Sequence, residues 1–254
     1  MAVLLAKSAC VMETVCDLHG DLTNLALVIR HPVEGPRLYR RLRRVWMAEA
    51  EFDVSGDIIR NQSIEAGAGA DGERAYHYFV TAWMGMNGVA GTRSYNSHFC
   101  MRYTANGGHA AKRWRSAVAS IPAWRRRMRN VTILPRDAFE VVDRIDDAPG
   151  TAIYADPPYL VKGSKYLHDF SPADHGRLAA ALGRFRRARV VVSYYAHPDL
   201  ERLYPPARWS HQHIAVTKAL CSAGMRGGEK SASKADEVLI VNDGGDGVVG
   251  GLFA

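Results

Sequence analysis

Asp156, Pro157, Pro158 and Tyr159 follow the apolar run Thr151-Ala152-Ile153-Tyr154-Ala155, a pattern that predicts an acid, a rigid turn and an aromatic ring at the end of a buried strand. An amine conjugated to an aromatic or carbonyl system is a poor nucleophile because its lone pair is delocalised. A catalyst must hold it by its hydrogens and turn the lone pair toward an electrophile. The Asp156 carboxylate and the Pro157 carbonyl both accept hydrogen bonds from an NH₂ group, and the two prolines fix the backbone so that these acceptors converge. The Tyr159 ring can stack on the planar group that bears the amine. The same residues also read as a simple strand-ending turn, since proline punctuates strands generally.

The elements that must position this cluster come from hydrophobic periodicity. A short helix over Ala2 to Ala6, a strand over Glu13 to Cys16 and a helix from Asp21 to Arg30 are predicted first. Residues 35–128 differ, with basic helical stretches, irregularly spaced aromatics and a glycine-rich stretch from Gly67 to Gly72. From Asn130 onward strands are predicted at Val131–Leu134, Ala152–Tyr154, Val190–Ser193 and Val238–Val241, with helices near Phe139–Arg144, Pro172–Arg186 and His197–Tyr204. Alternation of this kind implies an α/β fold with an open, mostly parallel sheet.

Asp-Pro-Pro-Tyr after a hydrophobic strand resembles the catalytic motif of S-adenosylmethionine-dependent amino methyltransferases, specifically the Dam-type adenine DNA methyltransferases. Further segments resemble the same family in the same order: Glu13 to Asn24, Val131 to Phe139, Phe170 to His175, Val190 to Tyr195 and Glu237 to Asn242. The resemblance implies a Rossmann-like methyltransferase core, formed by residues 1–34 and 129–254 and split by a helical target-recognition insertion over 35–128. It also implies methyl transfer from S-adenosylmethionine to the exocyclic amine of an adenine flipped out of double-stranded DNA. The catalytic residues would be Asp156, Pro157, Pro158 and Tyr159, with no metal.

For the cofactor, the resemblance assigns Asp17 to the ribose hydroxyls, and Asp137 with Phe139 to the adenine. Asp17, Asp21 and Asp137 also suit helix N-caps, and Asp21 fits a cap better than Asp17 does. The family's Phe-x-Gly-x-Gly loop and its central strand have no counterpart here. The expectation is therefore an upstream start or a chain lacking a core strand.

The formal charge of +7 and pI near 9.3 favour a polyanionic partner. Arginines cluster at Arg37, Arg40, Arg41, Arg43 and Arg44, then with Lys112 at Arg113 and Arg115, and again from Arg125 to Arg129, with Trp46, Trp114 and Trp124 among them. Each run alone reads as a solvated helix face, but phosphate contacts need such fixed cations. Asn87, Arg93 and Asn96 are candidates for base edges. Lys162, Lys165 and Tyr166, with His168, follow the tetrapeptide in a segment suited to closing over a substrate.

The four cysteines, Cys10, Cys16, Cys100 and Cys221, show no metal-ligand or secreted-framework spacing. With no signal peptide or membrane span in the sequence, a cytoplasmic monomer is expected. A restriction-modification role would add a cognate nuclease as partner. Two rival readings remain: methylation of RNA or a protein amide, where Asn more often replaces the Asp, and a non-catalytic remnant that binds DNA alone.

Overall fold

The computed structural model describes residues 2–62, 64, 67, 69–85, 98–101, 103, 104, 108–160, 168, 170–217 and 234–243. By its contacts the chain divides into two compact units: one runs to Ala138 and includes His168, and the other is formed by the remaining described residues from Phe139 onward.

In the first unit, α1 (Ala2–Ala6), β1 (Glu13–Cys16) and α2 (Gly20–Arg30) lead into the helices α3 (Glu34–Leu42), α4 (Glu49–Asn61) and α5 (Gly72–Met84). A small antiparallel pair, β2 (Tyr103–Thr104) with β3 (Gly108–His109), precedes the long helix α6 (Ala110–Met128) and then β4 (Val131–Leu134). β1 and β4 pair in parallel, Glu13 opposite Val131 and Cys16 opposite Leu134.

Local chemistry sets these helices. Asp71 caps α5, its carboxylate accepting from the N–H groups of Glu73 and Arg74 at 3.0 Å each. On α6 the buried residues Trp114, Ala117, Val118 and Ile121 recur every three or four positions, so one stripe faces the core while Lys112, Arg113 and Arg115 remain exposed. That stripe packs with Val28, Leu42, Phe79 and Val80. Arg74 is buried against Asp21, with Nε to Oδ1 at 2.6 Å and Nη2 to Oδ2 at 2.9 Å. Its remaining N–H groups reach the carbonyls of Ile58, Ile59 and Gln62, so one guanidinium joins α2 and α5 to the end of α4.

In the second unit, Phe139 and Val142 of α7 (Ala138–Val142) enter a core with Leu182, Val190, Val192 and Ile240. Its remaining elements are β5 (Ala152–Ala155), α8 (Pro172–Gly183), β6 (Arg189–Tyr195), α9 (Asp199–Leu203), β7 (Trp209–Thr217) and β8 (Lys234–Asn242). Ser171 and Asp174 close a capping box at the start of α8, with Pro172 in its first turn. Val190 to Tyr194 are all buried, as a strand covered on both faces requires. At the far end of β8 the Asn242 side chain accepts from the Val190 N–H at 2.8 Å and donates to the Ala188 carbonyl at 2.9 Å, fixing the register of β8 against β6.

The sheet order is β5-β6-β8-β7. β5 and β6 are parallel, whereas β8 runs antiparallel to both β6 and β7. The chain is thus α/β with a mixed sheet, and the expected mostly parallel arrangement holds only for β1–β4 and β5–β6. β7 is absent from the sequence expectation. As successive strands, β7 and β8 pair directly in the antiparallel sense, which needs no crossover helix.

Candidate active site

Asp156 to Tyr159 leave β5 at its carboxyl end, beside the carboxyl end of the parallel neighbour β6. That edge of an open α/β sheet is where such folds bind ligands. Asp156 is exposed, while Pro157, Pro158 and Tyr159 are half-buried.

The Tyr159 hydroxyl donates to Asp156 Oδ1 at 3.3 Å. The ring meets Tyr195 edge-on with centroids 4.4 Å apart, and lies 6.2 Å from Tyr194. Burial, reinforced by the nearby Asp156 charge, raises the Tyr159 phenol above its usual value, so it stays protonated as a hydrogen-bond donor. Tyr154 is raised for the same leading reason, burial.

Two residues behind this pair were not among the sequence candidates. Ser193, fully buried in the middle of β6, donates its hydroxyl to Glu237 Oε1 at 2.8 Å. The Glu237 charge adds to burial and to Asp156 in raising the phenols of Tyr154 and Tyr159, and the Ser193 hydroxyl works in the opposite direction. The pairing of Tyr195 with Glu237 across the antiparallel ladder brings this carboxylate to the site. A serine inside an otherwise apolar strand was the signal that could have found it, since a buried hydroxyl requires a partner.

Aromatic contacts continue from the site into the unit. His175 bonds the Tyr194 hydroxyl through Nδ1 at 3.0 Å, and its ring meets Phe170 edge-on at 5.2 Å. Phe170 stacks on Phe139 at 5.8 Å with the planes 6° apart. Burial pushes the Tyr194 phenol up to about 12 and lowers His175 below its usual value. Phe139 is 5% exposed, with the Arg177 guanidinium 3.8 Å from its ring centroid. A cofactor base stacking on Phe139 would therefore have to displace part of this packing.

The other cofactor candidates, Asp17 and Asp137, lie in the first unit. Asp17 directly follows β1, and its backbone N–H extends the ladder to the Leu134 carbonyl of β4 at 3.2 Å. Asp137 follows β4 and precedes α7. Both acids are half-buried and leave the same end of a parallel strand pair. The Cys16 thiol bonds the Arg136 carbonyl at 3.0 Å, tying the two loops together.

Asp17 Oδ1 accepts from the His19 N–H at 2.8 Å. The N-cap of α2 is His19, whose Nδ1 accepts from the Leu22 N–H at 3.2 Å. Asp21, which suited the cap from sequence, lies instead in the first turn of α2 and is committed to Arg74. The ion pair wins because a buried carboxylate demands a full set of donors.

Asn87, Arg93, Asn96, Lys162, Lys165 and Tyr166 lie outside the described residues. Among the described residues, no group of three or more His, Cys, Asp or Glu side chains is arranged to hold a metal ion, and no helix is long and apolar enough to cross a membrane. The chain matches no protein-family model and no curated protein.

Proposed function

We propose that this chain is a Dam-type, S-adenosylmethionine-dependent DNA methyltransferase acting on the exocyclic amine of adenine, built on a Rossmann-like core. The observation that carries the reading is the pairing of Asp156 with Tyr159 at the carboxyl end of β5, beside a parallel strand, in a sheet that continues as β6-β8-β7. Support also comes from the acids Asp17 and Asp137 at the matching ends of a second parallel pair.

The adenine reaches the site by leaving the base stack, at a cost of a few kcal/mol. Asp156 accepts from one N–H of the amine and the Pro157 carbonyl from the other. Together they aim the nitrogen lone pair away from the ring plane and stabilise positive charge as it develops on nitrogen. Tyr159 holds the base by its face. S-adenosylmethionine, when bound, supplies a methyl group already activated by its sulfonium. The chain's residues suit that cofactor in part: Asp17, half-buried after β1 with Oδ1 bonded to the His19 N–H, is an acceptor of the kind a ribose diol would need, whereas Phe139 is already covered.

The test is methyl transfer from labelled S-adenosylmethionine to DNA, RNA and protein offered side by side. The reading requires label in DNA. Label only in RNA or protein would reassign the substrate. Calorimetric binding of S-adenosylmethionine without transfer to any of them would leave a cofactor-binding protein that is not this enzyme.

A further inference from the structure

Arg37, Arg40 and Arg41 lie on α3, and Arg43 and Arg44 lie in the turn after it; all five are exposed, while Leu38 and Leu42 are buried. An amphipathic helix with a basic carboxyl end would look the same so far, because the helix dipole favours cations there. The organisation goes further. Arg37, Arg40, Arg41 and Arg44 line a cleft of about 370 Å³ with Val45 and Tyr76, and among the described residues no acidic side chain lines it.

The floor of this cleft is fixed. The Arg41 guanidinium carbon stands 3.5 Å from the Tyr76 ring centroid, and Nη2 donates to Glu73 at 2.9 Å. Tyr76 is buried, and its hydroxyl donates to Glu51 at 2.6 Å. Arg37 is paired with Glu34 at 2.7 Å. Arg40 and Arg44 have no carboxylate partner among the described residues. The cleft therefore carries two uncompensated guanidiniums four positions apart. Trp46 follows at 78% exposure, on a segment anchored by the bond from Trp114 Nε1 to the Val45 carbonyl at 3.1 Å.

In the basic cluster at the end of α6, Arg127 is committed to Glu13 through two hydrogen bonds at 2.5 and 2.7 Å, while Arg126 and Arg129 are exposed and are not among the residues that line this cleft. Guanidinium forks match phosphate oxygens bidentately, and two of them lining one cleft suit successive phosphates along a strand better than one isolated ion.

We infer that the Arg37–Arg40–Arg41–Arg44 cleft is a docking site for the phosphate backbone of a nucleic acid, with Arg40 and Arg44 making the contacts on a floor set by Arg41 and Tyr76. This rests on the nucleic-acid half of the proposed function and is independent of methyl transfer.

The test is anisotropy of a labelled mixed-sequence DNA duplex without cofactor, titrated with the wild-type chain, Arg40→Gln/Arg44→Gln and Arg113→Gln/Arg115→Gln. The first pair should weaken binding at least about tenfold at ~50 mM salt and flatten the dependence of log K on log salt by about two. The second pair should have a smaller effect. Unchanged melting temperatures confirm folding, and Arg40→Lys/Arg44→Lys should keep the salt slope while losing part of the affinity. Three results would overturn the cleft alone: wild-type affinity and slope in the first pair, an equal loss in the second pair, or competition by polyglutamate as effective as by unlabelled duplex. Failure of the wild-type chain to bind the duplex at all would overturn both the cleft and the DNA reading.

Discussion

The Tyr159 hydroxyl donates to the Asp156 carboxylate across 3.3 Å, so the acid that would receive a substrate amine is already engaged by its aromatic neighbour. The bond is long and its acceptor exposed, so an arriving amine can replace it at little cost. Removing the hydroxyl and removing the ring should then separate. Tyr159→Phe keeps the stacking face and removes the competing donor, and should hold kcat within a few-fold with an equal or lower KM for DNA. Tyr159→Ala should lower kcat/KM by at least about tenfold, in the range of a lost aromatic stack. Steady-state kinetics on both variants checks this, and equal losses in the two would show that the hydroxyl itself carries the function.

The buried pair of Arg74 and Asp21 predicts a large, separable stability effect. Arg74→Met takes from the buried Asp21 carboxylate its guanidinium partner and also strips donors from the carbonyls of Ile58, Ile59 and Gln62. A loss of about 3–5 kcal/mol in urea unfolding is expected. Adding Asp21→Asn should recover part of it by neutralising the stranded charge. A further loss from the double variant would mean that the ion pair is not the main contribution of Arg74.

Gly20 opens α2, and a Cβ built on it would stand 2.4 Å from the carbonyl oxygen of Ile64. The obstacle is backbone and has no rotamer with which to move aside. Gly20→Ala should therefore destabilise the chain by about 1–3 kcal/mol, as overpacking does, with the thermal midpoint as the readout. A neutral result would show that the segment at Ile64 shifts freely.

Three buried histidines predict acid sensitivity. His19, His77 and His175 are all held below their usual 6.5, chiefly by burial. The unfolded chain binds more protons than the native one once pH falls below that value, so their stabilising contribution is complete above 6.5 and is lost as pH drops through the folded values. Glu13 acts in a lower window. Its hydrogen bonds from Arg127 hold it down to about 2 from 4.5, so its contribution persists until pH falls below 4.5 toward 2. Urea midpoints measured against pH should show the first decline below 6.5, and His19→Asn, which keeps a capping side chain without the titration, should reduce it. A flat profile down to 4.5 would contradict the assignment.

Much of this architecture was legible because it rests on local signals. Ser171 and Pro172 announce α8, and the unbroken apolar run at Val190 announces β6 as a covered strand. β7 escaped because Trp209 to Thr217 mixes Ser210, His211, Gln212 and His213 with few apolar residues, as suits a strand that among the described residues pairs on one side only. Long-range chemistry was invisible for a different reason. Nothing near Asp21 points to Arg74, 53 positions away, and a capping aspartate looks the same in sequence as one that will be buried. In the candidate site, Asp156 and Tyr159 were legible as a motif. Ser193 and Glu237 emerged only once the antiparallel insertion of β8 placed them behind it.

Whether Asp156 receives the amine of adenine is decided by nucleoside analysis with mass spectrometry. DNA incubated with S-adenosylmethionine and the wild-type chain should yield N6-methyladenine. Asp156→Ala should yield none while unfolding near the wild-type temperature, since the side chain is exposed. Methyladenine formed equally by both proteins would remove Asp156 from the reaction, and methylcytosine in its place would remove adenine as the substrate.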